Sequence, residues 1–303
     1  MARRAAATLT AAFLTALAVA GPAGPAAAED APAFSVLVLT PPGSDGGGEE
    51  AAVAKAEQSL AIMGRSFGVR VDVTHDPAAI SADGLSSYQA VLWAGVSGSV
   101  LDEAGRAALT SYVEGGGGFV AASAATVNAE PEWDWYAQTV GPRVVADTGE
   151  AVKKDVTLVA EHPSSKDSST GWDSNDVWYA PVVDPAEIPG TTTIASYPGD
   201  DSIEVQTTWV REVGAGRVMV TSMGNDYDAW GEGDFVKMIR GGLWWASGTD
   251  APILVRADMA APSWPYIVSF VLWVGAIIVG GVIAVTRTTG RGSGASVPLS
   301  SKG

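Results

Sequence analysis

Cysteine is absent from all 303 residues. No disulfide, thiolate metal ligand or thiol nucleophile is therefore available, and no lipid can be attached through a thiol. Histidine is nearly absent too, with only His75 and His162. A catalytic zinc site draws about three protein ligands from His, Cys, Asp and Glu, so this inventory argues against a zinc enzyme. Cations are scarce: 18 Lys and Arg stand against 34 Asp and Glu. With the two ends set aside, 13 basic residues face 34 acidic ones, about −21 over the central region. Such a surface repels nucleic acid and anionic headgroups, and no nucleic-acid partner is expected. Long apolar runs are lacking except near the two ends.

Those ends are informative. Arg3 and Arg4 precede an Ala-rich apolar stretch, Ala5 to Ala20, which is followed by Pro22, Pro25 and Ala26-Ala27-Ala28. That layout is a secretory signal over residues 1–28, cleaved after Ala28. Near the other end, Ile267 to Val285 contains no charged residue. Nineteen helical residues reach roughly 28 Å, close to the hydrocarbon thickness of a bilayer. Trp264 and Tyr266 stand at the entry, and Arg287, Arg291 and Lys302 follow with no acid among them. A single transmembrane helix over 264–286 is expected, after a linker at 249–263. The cationic tail, 287–303, then lies in the cytoplasm and the globular part outside the cell.

Between the ends, apolar patterning alternates strand and helix. Phe34 to Thr40 is a continuous Val- and Leu-rich run and reads as a buried strand. Glu49 to Phe67 carries Val53, Ala56, Leu60, Met63 and Phe67 in three- and four-residue steps, one stripe on a helix. Strands are expected at Val69–Val73, Val91–Val96 and Phe119–Ala122, with a helix over Leu101–Glu114. This alternation predicts a parallel sheet with helices on both faces. Further strands are expected at Val152–Val159, Thr191–Ser196, Val205–Glu212 and Arg217–Ser222. Gly214-Ala215-Gly216 reads as a hairpin turn, and Asp234–Ser247 as a closing helix.

Several ordered stretches carry a resemblance. They include VLVLT, VLDEAGRAALTSYVEGGGGFVAASAA, WDWYAQTVG, EHPSS, NDVWY, TTWVREVGAGRVMVTSMGND and GGLWWASG. From Phe34 to Gly248 the chain resembles the ThuA-like (trehalose-utilisation) family. The resemblance implies a three-layer α/β domain of the class I glutamine-amidotransferase-like, or flavodoxin-like, kind. It also implies sugar metabolism as the family's sphere. The departures bear on activity. The family usually carries histidines after the first strand, after the Gly-rich turn and strand, and in a late Gly-His-Asp. Here those places hold TPPGSDGGG, Ser123, and Gly224-Asn225-Asp226. A second His-Pro pair is replaced by Val205-Gln206-Thr207, and His162-Pro163 alone remains.

Candidate residues follow from composition and from that pattern. Ser123 stands where this fold class presents a nucleophile, but a serine needs a base within hydrogen-bond reach, and His162 is its one conceivable partner. Asp176 and Asp226 are the candidate catalytic carboxylates, with Asn225 as a polar positioner. Trp133, Trp178 and Trp230 have polar neighbours at expected strand ends, where flat rings could stack on a sugar; ligands of parallel α/β sheets bind there. With Asn225 and His162 they form the candidate ligand set. Asp173, Asn175 and Asp176, and likewise Asn225, Asp226 and Asp228, cluster as oxygen donors. They admit a calcium ion but match no EF-hand loop, so no cofactor is expected. Gly115–Gly118 leave a helix and enter a strand, the reverse of a phosphate loop.

Two functions remain open. One is a non-catalytic, membrane-anchored extracellular ThuA-like module that binds a carbohydrate or envelope component, with membrane proteins as further partners. The other is a sugar-metabolising enzyme that uses carboxylates in place of histidines. The missing histidines favour the first, since histidine is the side chain suited to proton transfer near neutral pH.

Overall fold

A computed structural model describes residues 32–41, 48–126, 133–141, 144–146, 148–199 and 203–249. The expected export signal, most of the linker, the membrane span and the tail lie outside them. Among the described residues no helix is long and apolar enough to cross a membrane.

The apolar runs become strands buried on both faces. In β1 (Ser35–Leu39) every residue is buried. α1 (Gly48–Phe67) follows and returns the chain to β2 (Arg70–Thr74). α2 (Ala82–Leu85) is one turn long and leads to β3 (Ala90–Ala94), again wholly buried. α3 (Glu103–Glu114) starts two residues later than the sequence suggests. The Asp102 side chain accepts the Gly105 N–H at 2.8 Å and caps it. β4 (Gly118–Ala122) is buried throughout. α4 (Asp134–Val140) and β5 (Val144–Ala146) come next.

The second half is built from antiparallel strands. β6 (Val152–Leu158) pairs with β7 (Gly171–Asp176), and β8 (Tyr179–Pro181) pairs with β5 in a separate two-stranded sheet. β9 (Thr191–Pro198), β10 (Glu204–Val213) and β11 (Gly216–Thr221) follow. β10 and β11 form the expected hairpin, with Val213 opposite Gly216. α5 (Tyr227–Gly231) and α6 (Gly233–Ala246) close the domain.

The main sheet has the order β2-β1-β3-β4-β11-β10-β9-β6-β7. β2, β1, β3, β4 and β11 are mutually parallel, as the first half's pattern predicts. The sheet then continues through antiparallel pairings as far as β7. Strand residues alternate between two cores. Val36 and Val38 pack with Ala56, Leu60, Phe235 and Ile239 of α1 and α6. Leu37 and Leu39 pack with Leu85, Leu109 and Tyr136 of α2, α3 and α4. The result is three layers, helices on each face of one sheet.

Candidate functional site

The carboxyl ends of β4 and β11 lie side by side, the edge where parallel α/β sheets place ligands. Ser123 follows β4 directly. Its φ is +62°, the only positive value at a non-glycine among the described residues. A serine in the left-handed region costs on the order of 1–2 kcal/mol, so surrounding contacts must hold it there. Its Oγ donates to Asn225 Oδ1 at 2.9 Å, and Ser123 is only 6% exposed.

Asn225 is in turn fully engaged. Its Nδ2 donates to the carbonyls of Ser222 (2.6 Å) and Val177 (3.0 Å). Beneath it lies Asp176, the last residue of β7 and wholly buried. One oxygen of Asp176 accepts the N–H groups of Val177 and Asn225, both at 2.9 Å, and the other accepts that of Gly224 at 2.7 Å. The structure therefore brings Ser123, Asn225 and Asp176 into one chain of hydrogen bonds joining β4, β11 and β7. Asp226 adjoins it, but its side chain caps α5 by accepting the Asp228 N–H at 3.0 Å.

Burial pushes the Asp176 carboxyl up to about 7, against the backbone N–H groups of Gly224, Asn225, Val177 and Asp226, which pull it down. The folded acid holds its proton more tightly than the unfolded one, whose ordinary value is 3.8. The stability this group adds is full below that value and is lost as pH rises towards about 7. Melting temperature followed from pH 4.5 to 7.5 should fall more steeply in the native protein than in Asp176→Asn, which has nothing to titrate there. Equal slopes would remove this assignment.

Among the described residues no base is hydrogen-bonded to the Ser123 hydroxyl. His162 sits at the opposite edge of the sheet, before β7, where its ring lies edge-on to Trp245 at 4.8 Å. Its Nδ1 accepts the Ser164 N–H at 3.2 Å, closing a turn, and burial first, then Arg217, lowers its pKa. A Ser123–His162 dyad and a ligand set that joins His162 to Asn225 are both corrected by this separation. His75 is on the right edge, but β2 and β4 are three strand spacings apart, about 14 Å.

The three tryptophans are also a correction. Trp178 and Trp230 are each 1% exposed. Trp178 donates to the Val152 carbonyl at 2.7 Å and Trp230 to that of Gly224 at 2.9 Å. Trp133 is buried in a stack with Tyr136 (5.0 Å) and Trp135 (5.5 Å). Trp178 and Trp230 thus satisfy their indole N–H groups on backbone carbonyls, as buried indoles require. These rings belong to the core and offer no free face to a sugar. The side chains of both oxygen clusters are spent on other partners. Asp173 pairs with Lys153 at 2.7 Å, Asn175 donates to Asp228 at 2.9 Å, and Asp176 points inward.

One polar cluster escaped the sequence reading. Thr40, fully buried just past β1, donates to Glu57 Oε1 at 2.8 Å. With that proton used, His75 Nδ1 is the donor in its 2.9 Å contact with Thr40 Oγ1. Only a threonine ending an apolar run signalled it.

Fold and site geometry define the class: a three-layer α/β domain with a polar residue presented on a strained turn at the carboxyl end of a central strand. The profile of the ThuA family, described as trehalose utilisation, matches residues 36–246, and the chain belongs to that family. A ThuA-like protein from Bacteroides uniformis shares the fold with a TM-score of 0.63 at 19% identity, over 74% of this chain and 95% of its own. Another, from Parabacteroides merdae, has a TM-score of 0.54 at 19% identity, over 73% of this chain and 92% of its own. No curated protein compared with the chain matches it.

Proposed function

We propose that the chain is a membrane-anchored, extracellular ThuA-like domain that binds an envelope component without turning it over. One observation carries this reading. The Ser123 hydroxyl donates to an amide oxygen, which cannot take its proton as a general base would, and the buried serine is held in a hydrogen-bond network with half-buried Asn225. Asn225 occupies the place of the family's histidine and turns that position into a structural link. A carbohydrate ligand remains the favoured class from the family resemblance. Polar side chains would have to hold it, since Trp133, Trp178 and Trp230 are committed to the core. The anchor rests on the apolar run Ile267–Val285 and the cationic tail.

A fluorophosphonate probe incubated with the full-length protein should leave Ser123 unmodified, as read by peptide mass spectrometry. An adduct at Ser123 would reject the non-catalytic reading. Protease added to intact cells should remove the domain while a tag after Gly303 stays protected; loss of the tag would refute the orientation. The enzymatic alternative would have to act through the half-buried Asp226, since Asp176 is wholly buried with both oxygens engaged by backbone N–H groups. Sugar turnover abolished by Asp226→Ala would establish it.

A further inference from the structure

Thr40, Glu57 and His75 come from three separate elements and converge at the carboxyl end of β1. Thr40 follows β1, Glu57 lies on α1, and His75 follows β2. β1 borders β3 where the strand order reverses, the place at which open α/β sheets receive ligands.

Three separations define the cluster. Thr40 Oγ1 lies 2.8 Å from Glu57 Oε1 and 2.9 Å from His75 Nδ1. His75 Nδ1 lies 3.8 Å from Glu57 Oε1. A point just outside the plane of these three atoms is about 2.1 Å from each, the distance zinc keeps from nitrogen and oxygen ligands. Thr40 is the buried floor. The His75 and Glu57 side chains are 51% and 29% exposed, so the cluster opens to solvent.

Its charge also favours a cation. Among the described residues no lysine or arginine pairs with Glu57, which meets only the Thr40 hydroxyl and His75. The chain's net charge of −16 draws cations to such a carboxylate. An imidazole nitrogen beside a carboxylate suits a first-row transition ion; magnesium and calcium prefer oxygen alone.

We infer that Thr40, Glu57 and His75 bind a divalent transition-metal ion of the zinc kind. The ion takes the space now spanned by the two hydrogen bonds. Neutral His75 moves its one ring proton from Nδ1 to Nε2, and Thr40 keeps its hydroxyl proton as a neutral third donor. No third histidine or carboxylate joins the pair among the described residues, fewer ligands than a catalytic zinc uses. The inference is therefore of binding, which ties β1, α1 and β2 together, and not of catalysis. The cluster stands apart from Ser123, so it does not depend on the proposed function.

The test uses the full-length protein in neutral detergent, stripped of metal with a chelator. Calorimetric titration with zinc should show saturable binding that excess magnesium does not displace. Glu57→Gln keeps an acceptor for the Thr40 hydroxyl but loses the charge, and His75→Gln loses the nitrogen. Each should weaken zinc about tenfold or more, since even groups that only support a ligand act on that scale. His162→Gln, at the opposite edge, should bind zinc as the native protein does. It also leaves His75 as the one histidine, so nitrogen NMR of that variant reads a single ring. Zinc should move the ring proton from Nδ1 to Nε2, a result that needs no change at the site. No saturable binding, unchanged affinity in Glu57→Gln or His75→Gln, or a proton that stays on Nδ1 with zinc bound, overturns the site.

Discussion

Replacing Asp176 by alanine should destabilise the domain by about 4 kcal/mol, an exceptional loss for one surface-free substitution. The magnitude follows from the donors left behind. The N–H groups of Val177, Gly224 and Asn225 all end on this carboxylate, and no water reaches a residue that is 0% exposed. Each buried donor without an acceptor costs about 1–3 kcal/mol, and relaxation recovers part of the sum. The loss should spread to Ser123, because Asn225 is positioned through its own N–H on Asp176. Chemical or thermal unfolding of the full-length protein measures the effect. Asp226→Ala is the internal comparison. It removes only a helix cap and should cost about 1 kcal/mol. If the two variants lost equal stability, Asp176 would not be the centre of the network.

The elements that reported themselves in sequence are those whose buried faces are apolar. Phe34–Thr40 and Phe119–Ala122 were legible as strands because burial on both faces selects unbroken Val, Phe, Leu and Ala. The stripe Val53, Ala56, Leu60, Met63 was legible as α1 for the same reason at helical spacing. β7 was not. Its sequence, GWDSND, reads as a turn, yet Trp172, Ser174 and Asp176 alternate inward. The period of two is present, but two of its three inward residues are polar, so a hydrophobic pattern cannot find it. The same fact hid the site. Asp176 is visible in sequence as a carboxylate in an acidic cluster, and Asn225 and Asp226 as members of a second cluster of oxygen donors. That the one caps the other's backbone across 49 residues depends on where β7 ends, which only the fold sets. The tryptophans were misread for a related reason. An indole beside polar residues looks like a binding platform in sequence, yet in the fold Trp178 and Trp230 are buried and spend their N–H groups on backbone carbonyls.

Gly241→Ala should cost about 3 kcal/mol or more, although alanine favours a helix over glycine by about 1 kcal/mol. A Cβ at this position would stand 2.0 Å from the Ser164 carbonyl oxygen, and that oxygen belongs to backbone that cannot swing aside. α6 therefore presses directly on the turn Pro163–Ser165, which His162 closes through the Ser164 N–H. The neighbouring Gly242 gives the contrast. Its added Cβ would meet the Met219 sulfur, also at 2.0 Å, but a methionine can rotate away. Gly242→Ala should thus be the milder of the two, and differential melting of the pair reads the difference at about 2–4 °C per kcal/mol. Equal losses would mean that the backbone contact at Ser164 yields as easily as a thioether. The comparison also bears on what the surviving histidine does. If Gly241→Ala and His162→Ala each destabilise, and the double variant loses less than their sum, His162 acts through the same helix–turn contact. His162 then serves packing at the edge opposite Ser123 and requires no part in chemistry.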